Sequence, residues 1–287
     1  MFTMYLALTF SCFILLLAVF ALWCCLRKMT FCLTFDDGLK SHADIVAPLL
    51  EEYGWRGTFN VPVGMIGNGV ASLTPAEQQD LCILSGVGSL MTWDDVKMLL
   101  ARGHCVYPHA FRHRDIVGLI DAGRINEADA EVAKSLSGFV SVIGIRPNFF
   151  CSPHNSESQK AREIVRKYGM GWLNVARLNF GEPIPPSSTQ SLTHHIDNNF
   201  FRGSIHVDVM IHGISRATGG WRPFETVGAF KAFLDELKAL ENSGRVKVVS
   251  YEDGHVCDNG SHLWLEKWMW AVRKTRRAVF WTLFRRR

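Results

Sequence analysis

The chain is poor in charge and shows no paired-cysteine pattern. Charged residues make up 20 % of its 287 positions and apolar residues 48 %. That excludes a disordered chain, which is charge-rich and apolar-poor. Only one apolar run is long enough to cross a bilayer, which excludes a polytopic membrane protein. No CxxC pair occurs among the eight cysteines, which argues against a zinc ribbon, and their spacing gives no support to a disulfide framework. Cys12, Cys24 and Cys25 lie in the apolar N-terminus. Cys32, Cys82, Cys105, Cys151 and Cys257 read as buried reduced thiols, which pack like small hydrophobes. No internal repeat is visible.

Charge is present but uneven. The net charge is +4, yet Glu266–Arg287 alone holds eight Lys/Arg against one acid, a local +7, so the remainder sums to about −3. Any anionic partner therefore belongs to the tail. No nucleic-acid-reading module accompanies these charges, and no nucleic-acid partner is expected. In the tail Leu265, Trp268, Met269, Val272, Val279, Phe280 and Leu283 recur at helical spacing, with Lys267, Lys274, Arg277 and Arg285 mostly opposite. This predicts a basic amphipathic helix within 259–287, lying on an anionic membrane surface. The alternative is a last helix packed on the domain.

At the other end, Phe2 to Leu26 is a run of 25 residues without a charge. Residues 1–28 are expected to be a transmembrane or signal-anchor segment. No basic stretch precedes the run, which weakens a cleaved signal peptide. Arg27 and Lys28 follow it, so the positive-inside rule favours the cytoplasmic face, with an extracytoplasmic placement left open. Met29 leads directly into the apolar Thr30–Phe35, which makes it a second candidate start, with 1–28 an upstream extension.

Between these ends, residues 29–258 alternate short apolar strands with helical stretches. Strands are expected at 31–35, 57–61, 104–107, 149–151, 172–175, 207–212 and 246–250. Helices are expected at 43–53, 92–103, 128–139, 158–168 and 224–243. Thr92 with Asp95 three residues on predicts a capped helix start. The alternation argues for a parallel α/β sheet, open or closed into a barrel. Asn179–Gln190, rich in Pro and Ser, reads as a long loop, a lid or rim.

In such folds chemistry gathers at the C-terminal ends of the strands. Asp36-Asp37 follows the first strand, His109 and His113 follow the strand 104–107, and His212 ends the strand 207–211. All three sets are expected at one mouth. Neighbours in extended chain point to opposite sides, so one aspartate can face a metal and the other a water. Asp37, His109 and His113 make a carboxylate–bis-imidazole donor set with room for water or substrate, suited to Zn²⁺, with Co²⁺, Ni²⁺ or Fe²⁺ also accommodated. Asp36 then reads as general base and His212 as the acid that protonates a leaving amine. Asp-Asp-Gly alone also reads as a turn.

These residues carry a family resemblance. Thr34-Phe35-Asp36-Asp37-Gly38 resembles the first motif of the polysaccharide deacetylases. His109-Ala110-Phe111-Arg112-His113 resembles that family's His-[Ser/Thr]-x-x-His metal motif. Arg146-Pro147-Asn148-Phe149-Phe150-Cys151-Ser152-Pro153 is similar to its Arg/Pro/aromatic motif, and Met210-Ile211-His212-Gly213 to its last. The resemblance covers about residues 30–255. It implies a deformed (β/α) barrel, a divalent metal on Asp37, His109 and His113, Asp36 as base, His212 as acid, and removal of N-acetyl groups from a sugar, glycan or glycolipid. It also implies that Arg146 orients Asp36, the alternative being a plain surface residue before Pro147, and that an aspartate, Asp197 or Asp208, orients His212. Ala110 departs from the motif and removes a hydroxyl that would brace the loop. His42, near the mouth, reads as a solvated or helix-start histidine, and His104, His154, His194, His195 and His255 read as structural or surface. The competing readings are a degenerate glycan-binding module on the same fold, and an amide or ester hydrolase of non-sugar substrates.

Overall fold

The computed structural model describes residues 29–67, 70–83, 88–173, 178–179, 206–221 and 223–253. The expected membrane segment, the basic tail helix, most of the loop 179–190, Asp197, His194, His195 and His255 lie outside those residues. Among the described residues no helix is long and apolar enough to cross a membrane.

Among the described residues eight strands follow one another as β1 (Met29–Phe35), β2 (Thr58–Val61), β3 (Cys105–Pro108), β4 (Phe149–Cys151), β5 (Gly171–Leu173), β6 (Leu178–Asn179), β7 (His206–Ile211) and β8 (Val246–Val248). Seven α-helices accompany them: α1 (Ala47–Glu52), α2 (Pro75–Asp80), α3 (Trp93–Ala101), α4 (Ile116–Asp121), α5 (Ile125–Ile143), α6 (Gln159–Lys167) and α7 (Val227–Asn242). The main sheet runs β3-β2-β1-β7-β6, with β8 also on β1, and β4 pairs with β5 in a second sheet. Every strand pairing is parallel. No ladder joins the two sheets among the described residues; β3 and β4 meet by packing. The expected parallel α/β sheet is thus present, and the described residues form it as a main sheet with a separate two-stranded one beside it.

β1 is central because it has no wet face. Phe31, Cys32, Leu33, Thr34 and Phe35 are all buried, the continuous apolar run of a strand covered on both sides. The core beneath it holds Phe35 stacked on Phe59 and edge-on to Phe230 of α7. Cys32, Tyr107, Cys151, Leu173 and Tyr251 fill the space between the two sheets. Cys32, Cys82, Cys105 and Cys151 form no disulfide; Cys32 and Cys151 are buried as expected, whereas Cys82 and Cys105 are half-buried.

The helix that Thr92 begins has its full capping box. The Thr92 hydroxyl accepts from Asp95 N, and Asp95 accepts from Thr92 N. The same reciprocal pair, Thr74 and Glu77, opens α2, an element absent from the sequence expectation along with α4 and β6. The expected helix 43–53 begins as a π turn over His42–Val46 before α1.

Thr92→Ala should lower stability by about 1 kcal/mol, the usual worth of a cap. Phe230→Ala should cost about 3–5 kcal/mol, because the core cannot collapse onto an aromatic-sized void. Urea unfolding of both variants checks this; equal losses would contradict the assignment of Thr92 to a surface cap.

Candidate active site

Strand register builds the site. Phe35 of β1 lies opposite Phe59 of β2 and Ile211 of β7. The next residue, Asp36, continues the ladder through its N–H to the Ile211 carbonyl at 3.0 Å. Asp36, Asn60 and His212 therefore stand at one level. On the far side Val61 lies opposite Pro108, and His109 N–H donates to the Val61 carbonyl at 2.8 Å. All of these side chains are buried at the C-terminal ends of their strands.

The turn out of β1 uses left-handed backbone at Asp37 (φ 76) and Gly38 (φ 64). Asp accepts this region better than most residues. At Gly38 a Cβ would press on Ile66, Pro62 and Val61 at 3.2–3.3 Å. The loop after β3 is left-handed twice, at Ala110 (φ 61) and His113 (φ 54). His109 and His113 thus meet across a tight loop rather than along a helix. Backbone held in sparse regions is characteristic of sites whose geometry the surroundings over-determine.

Two carboxylates brace this loop. Buried Glu131 of α5 accepts from Phe111 N at 3.1 Å and Arg112 N at 2.8 Å. Glu77 of α2 accepts both arms of Arg112, Nε at 2.7 Å and Nη2 at 2.6 Å. The loop is thereby held without the hydroxyl that Ala110 lacks.

Asp37 Oδ1 sits 3.1 Å from His113 Nε2 and 3.6 Å from His109 Nε2. The three donor atoms lie within 4.8 Å of one another. Each imidazole is fixed from behind. His109 Nδ1–H donates to the Cys151 carbonyl at 3.2 Å, and His113 Nδ1–H donates to Asp80 Oδ2 at 2.6 Å. Both rings therefore turn Nε2 toward Asp37, the tautomer a metal requires. Burial raises the Asp37 carboxyl, but the positive charge of His212 and His113 and the close approach of the His109 and His113 rings outweigh it and hold the group well below the usual carboxylate range. Burial lowers His113, but Asp37 and Asp80 on either side push it up to about 10. Two anions facing one imidazole demand a cation. Buried Asp37 Oδ1 has no hydrogen-bond partner among the described residues. These residues fit a divalent metal in donor type, count and spacing.

Asp36 and His212 flank this centre. Asn60 Nδ2 donates to Asp36 Oδ1 at 2.6 Å, which aims the carboxylate and leaves its second oxygen outside that bond. His212 Nε2 stands 3.9 Å from Asp37 Oδ2, and its ring meets Trp221 edge-on at 5.0 Å. Among the described residues His212 Nδ1 has no partner. Asp208 lies in β7 by its backbone. All five residues open on one cleft of about 640 Å³, whose wall also carries Asp80, Cys82, His154 and Trp221.

Two expectations need correction, and one exposed histidine joins the cleft. Arg146 is not beside Asp36. It is exposed, donates to the Tyr168 carbonyl, and borders a separate hollow with Asn148 and Glu252. The position before Pro147 precedes β4 at its N-terminal end, away from the strand ends that hold the site. Asn60 orients Asp36 instead. His42 is not solvated: it is fully buried beside Phe35, and its Nε2–H donates to the His212 carbonyl at 2.7 Å. His154 lines the cleft, its ring 5.0 Å from that of His113. His104 is structural as expected, accepting from Gly57 N and bonding Glu51. Asn60 carried one signal in the sequence, a lone amide inside an apolar strand. Asp80 and Trp221 carried none.

The family model for polysaccharide deacetylase matches residues 25–172. Among curated proteins none matches the chain in sequence. Solved structures resemble it in fold. The Bc1960 peptidoglycan N-acetylglucosamine deacetylase is 14 % identical with a TM-score of 0.52, covering 80 % of this chain and 89 % of its own. A family 4 carbohydrate esterase from Streptomyces lividans is 16 % identical with a TM-score of 0.50, covering 78 % and 92 %. Peptidoglycan deacetylase PdaC from Bacillus subtilis is 15 % identical with a TM-score of 0.48, covering 90 % and 98 %.

Burial of His42 has a consequence for pH dependence. Desolvation pushes its imidazole down to about 4, against the opposing pull of its bond to the His212 carbonyl and of Asp37. Unfolded, it titrates near its ordinary value of about 6.5. The unfolded chain therefore takes up this proton first, and stability is lost as pH falls from about 6.5 toward 4. His42→Gln keeps a donor without a titrating group. The wild type should lose roughly 2 kcal/mol relative to that variant between about pH 7.5 and about pH 5 in urea melts. A difference independent of pH would mean the folded imidazole is hydrated.

Proposed function

The chain belongs to the polysaccharide deacetylase family, and we propose that it is a metal-dependent hydrolase that removes N-acetyl groups from an N-acetylated glycan or glycolipid. One observation carries this reading. Asp37 Oδ1 and the Nε2 atoms of His109 and His113 converge in a single cleft, with Asp36 on one side and His212 on the other.

A divalent cation held by Asp37, His109 and His113 supplies Lewis acidity for the acyl carbonyl and makes water a better nucleophile at neutral pH. Zn²⁺ suits the donor set, as do Co²⁺, Ni²⁺ and Fe²⁺. Asp36, aimed by Asn60, accepts the proton of the attacking water at its second oxygen. The water oxygen bonds to the acetyl carbon, and the C–N bond then breaks. His212 delivers a proton to the departing nitrogen, so the products are acetate and a free amine. Trp221 packs against the His212 ring and limits its movement in the cleft.

We extend the proposal to a membrane surface, on the strength of the uncharged run before Arg27 and the basic, tryptophan-rich tail. The full chain should co-sediment with anionic vesicles, and deletion of 259–287 should weaken this. Unchanged partition into the supernatant for both would remove the membrane from the reading.

The catalytic test is acetate release from N-acetylglucosamine oligomers by protein loaded with Zn²⁺ or Co²⁺. Asp36→Asn and His212→Ala should each lower kcat by about 10²- to 10⁴-fold, the usual worth of a general base or acid. Activity in Asp36→Asn equal to wild type would overturn the mechanism. Oligomer binding without turnover would establish a degenerate binding module, and turnover of acyl esters alone a different substrate class.

A further inference from the structure

Helix α2 reaches the site from outside the strand ends. It is opened by the Thr74–Glu77 capping box, and its last residue is Asp80. Two of its carboxylates act on the metal-ligand loop. Glu77 takes Arg112 through two hydrogen bonds, which fixes the helix against residues 109–113. Asp80 Oδ2 then accepts His113 Nδ1–H at 2.6 Å. His154 Nε2 stands 3.8 Å from the same oxygen, on the cleft side.

This bond decides what His113 can do. An imidazole whose Nδ1–H points at a carboxylate presents a lone pair at Nε2, in fixed orientation and with raised basicity. His113 has left-handed backbone, so its own chain does not favour the pose, and a side-chain bond from another element must hold the ring. We propose that Asp80 is the positioning residue of His113, and that α2 is in this way part of the metal centre although it supplies no ligand. The inference rests on Asp37, His109 and His113 being the metal ligands. The Asp80 side chain is 38 % exposed, so its replacement leaves no void and no buried orphan beyond the His113 N–H.

The test is Co²⁺ affinity, read by competition with a chromophoric chelator, together with the visible spectrum of bound Co²⁺ and the melting temperature of metal-free protein. Asp80→Ala should weaken Co²⁺ by about 10- to 100-fold, as loss of a carboxylate behind a histidine ligand does. It should also alter the visible bands and lower the metal-free melting temperature by only a few degrees, leaving the protein folded at the assay temperature. Asp80→Glu should restore most of the affinity. Asp80→Asn, isosteric and still an acceptor, should fall between and serves if the alanine variant does not fold. Affinity in both Asp80→Ala and Asp80→Asn within threefold of wild type, with His113→Ala abolishing binding, would overturn this inference and leave the metal site standing. Co²⁺ binding unaffected by His109→Ala and His113→Ala would overturn the metal-site reading, and this inference with it.

Discussion

The register of β1 between β2 and β7 is the constraint on which the rest depends. Side chains alternate faces along a strand, so a slip of one residue would turn Asp36 away from Asn60 and exchange its role with Asp37. The register is held by burial rather than by turns. Phe31, Leu33 and Phe35 are fully enclosed, and Thr34 closes the row by donating from its hydroxyl to the Val209 carbonyl. A displaced β1 would have to press that row of large side chains into the space now filled by Cys32 and Thr34 on its other buried face. The hydrophobic core thus fixes the height of two aspartates and one histidine in the cleft.

Asp37 is costly in such a place. A carboxylate taken out of water is stable only if positive charge and hydrogen bonds replace the solvent. Here the replacement comes from three imidazoles, those of His109, His113 and His212. The two that touch Oδ1 are anchored at their far nitrogens by the Cys151 carbonyl and Asp80. Charge, tautomer and orientation are settled together by these contacts.

Much of this was legible in the residues. The capped helix at Thr92, the strands around Asp36, His109 and His212, and their convergence follow from apolar runs and from polar residues at strand ends. What escaped had physical reasons. α2 and α4 are six residues each, too short to show a helical period. His42 does begin a helical turn, but sequence does not show that it is buried or that a carbonyl across the sheet accepts its N–H. Arg146 was assigned by motif similarity, and a motif does not say on which end of β4 a residue stands. Asp80 acts through space on His113, 33 positions away, where no spacing rule reaches.

The loop from His109 to His113 is gripped from opposite sides, by Glu131 on its amides and by Glu77 on Arg112. Its two ring nitrogens are therefore already in place before any ion arrives. For such a scaffold, capture of an ion is a docking event rather than a local folding event, and little chain entropy is spent on it. Ion exchange would then be governed by shedding of the ion's water shell, and size preference by the rigidity of the loop: an ion too large or too small would find a frame that does not yield to meet it.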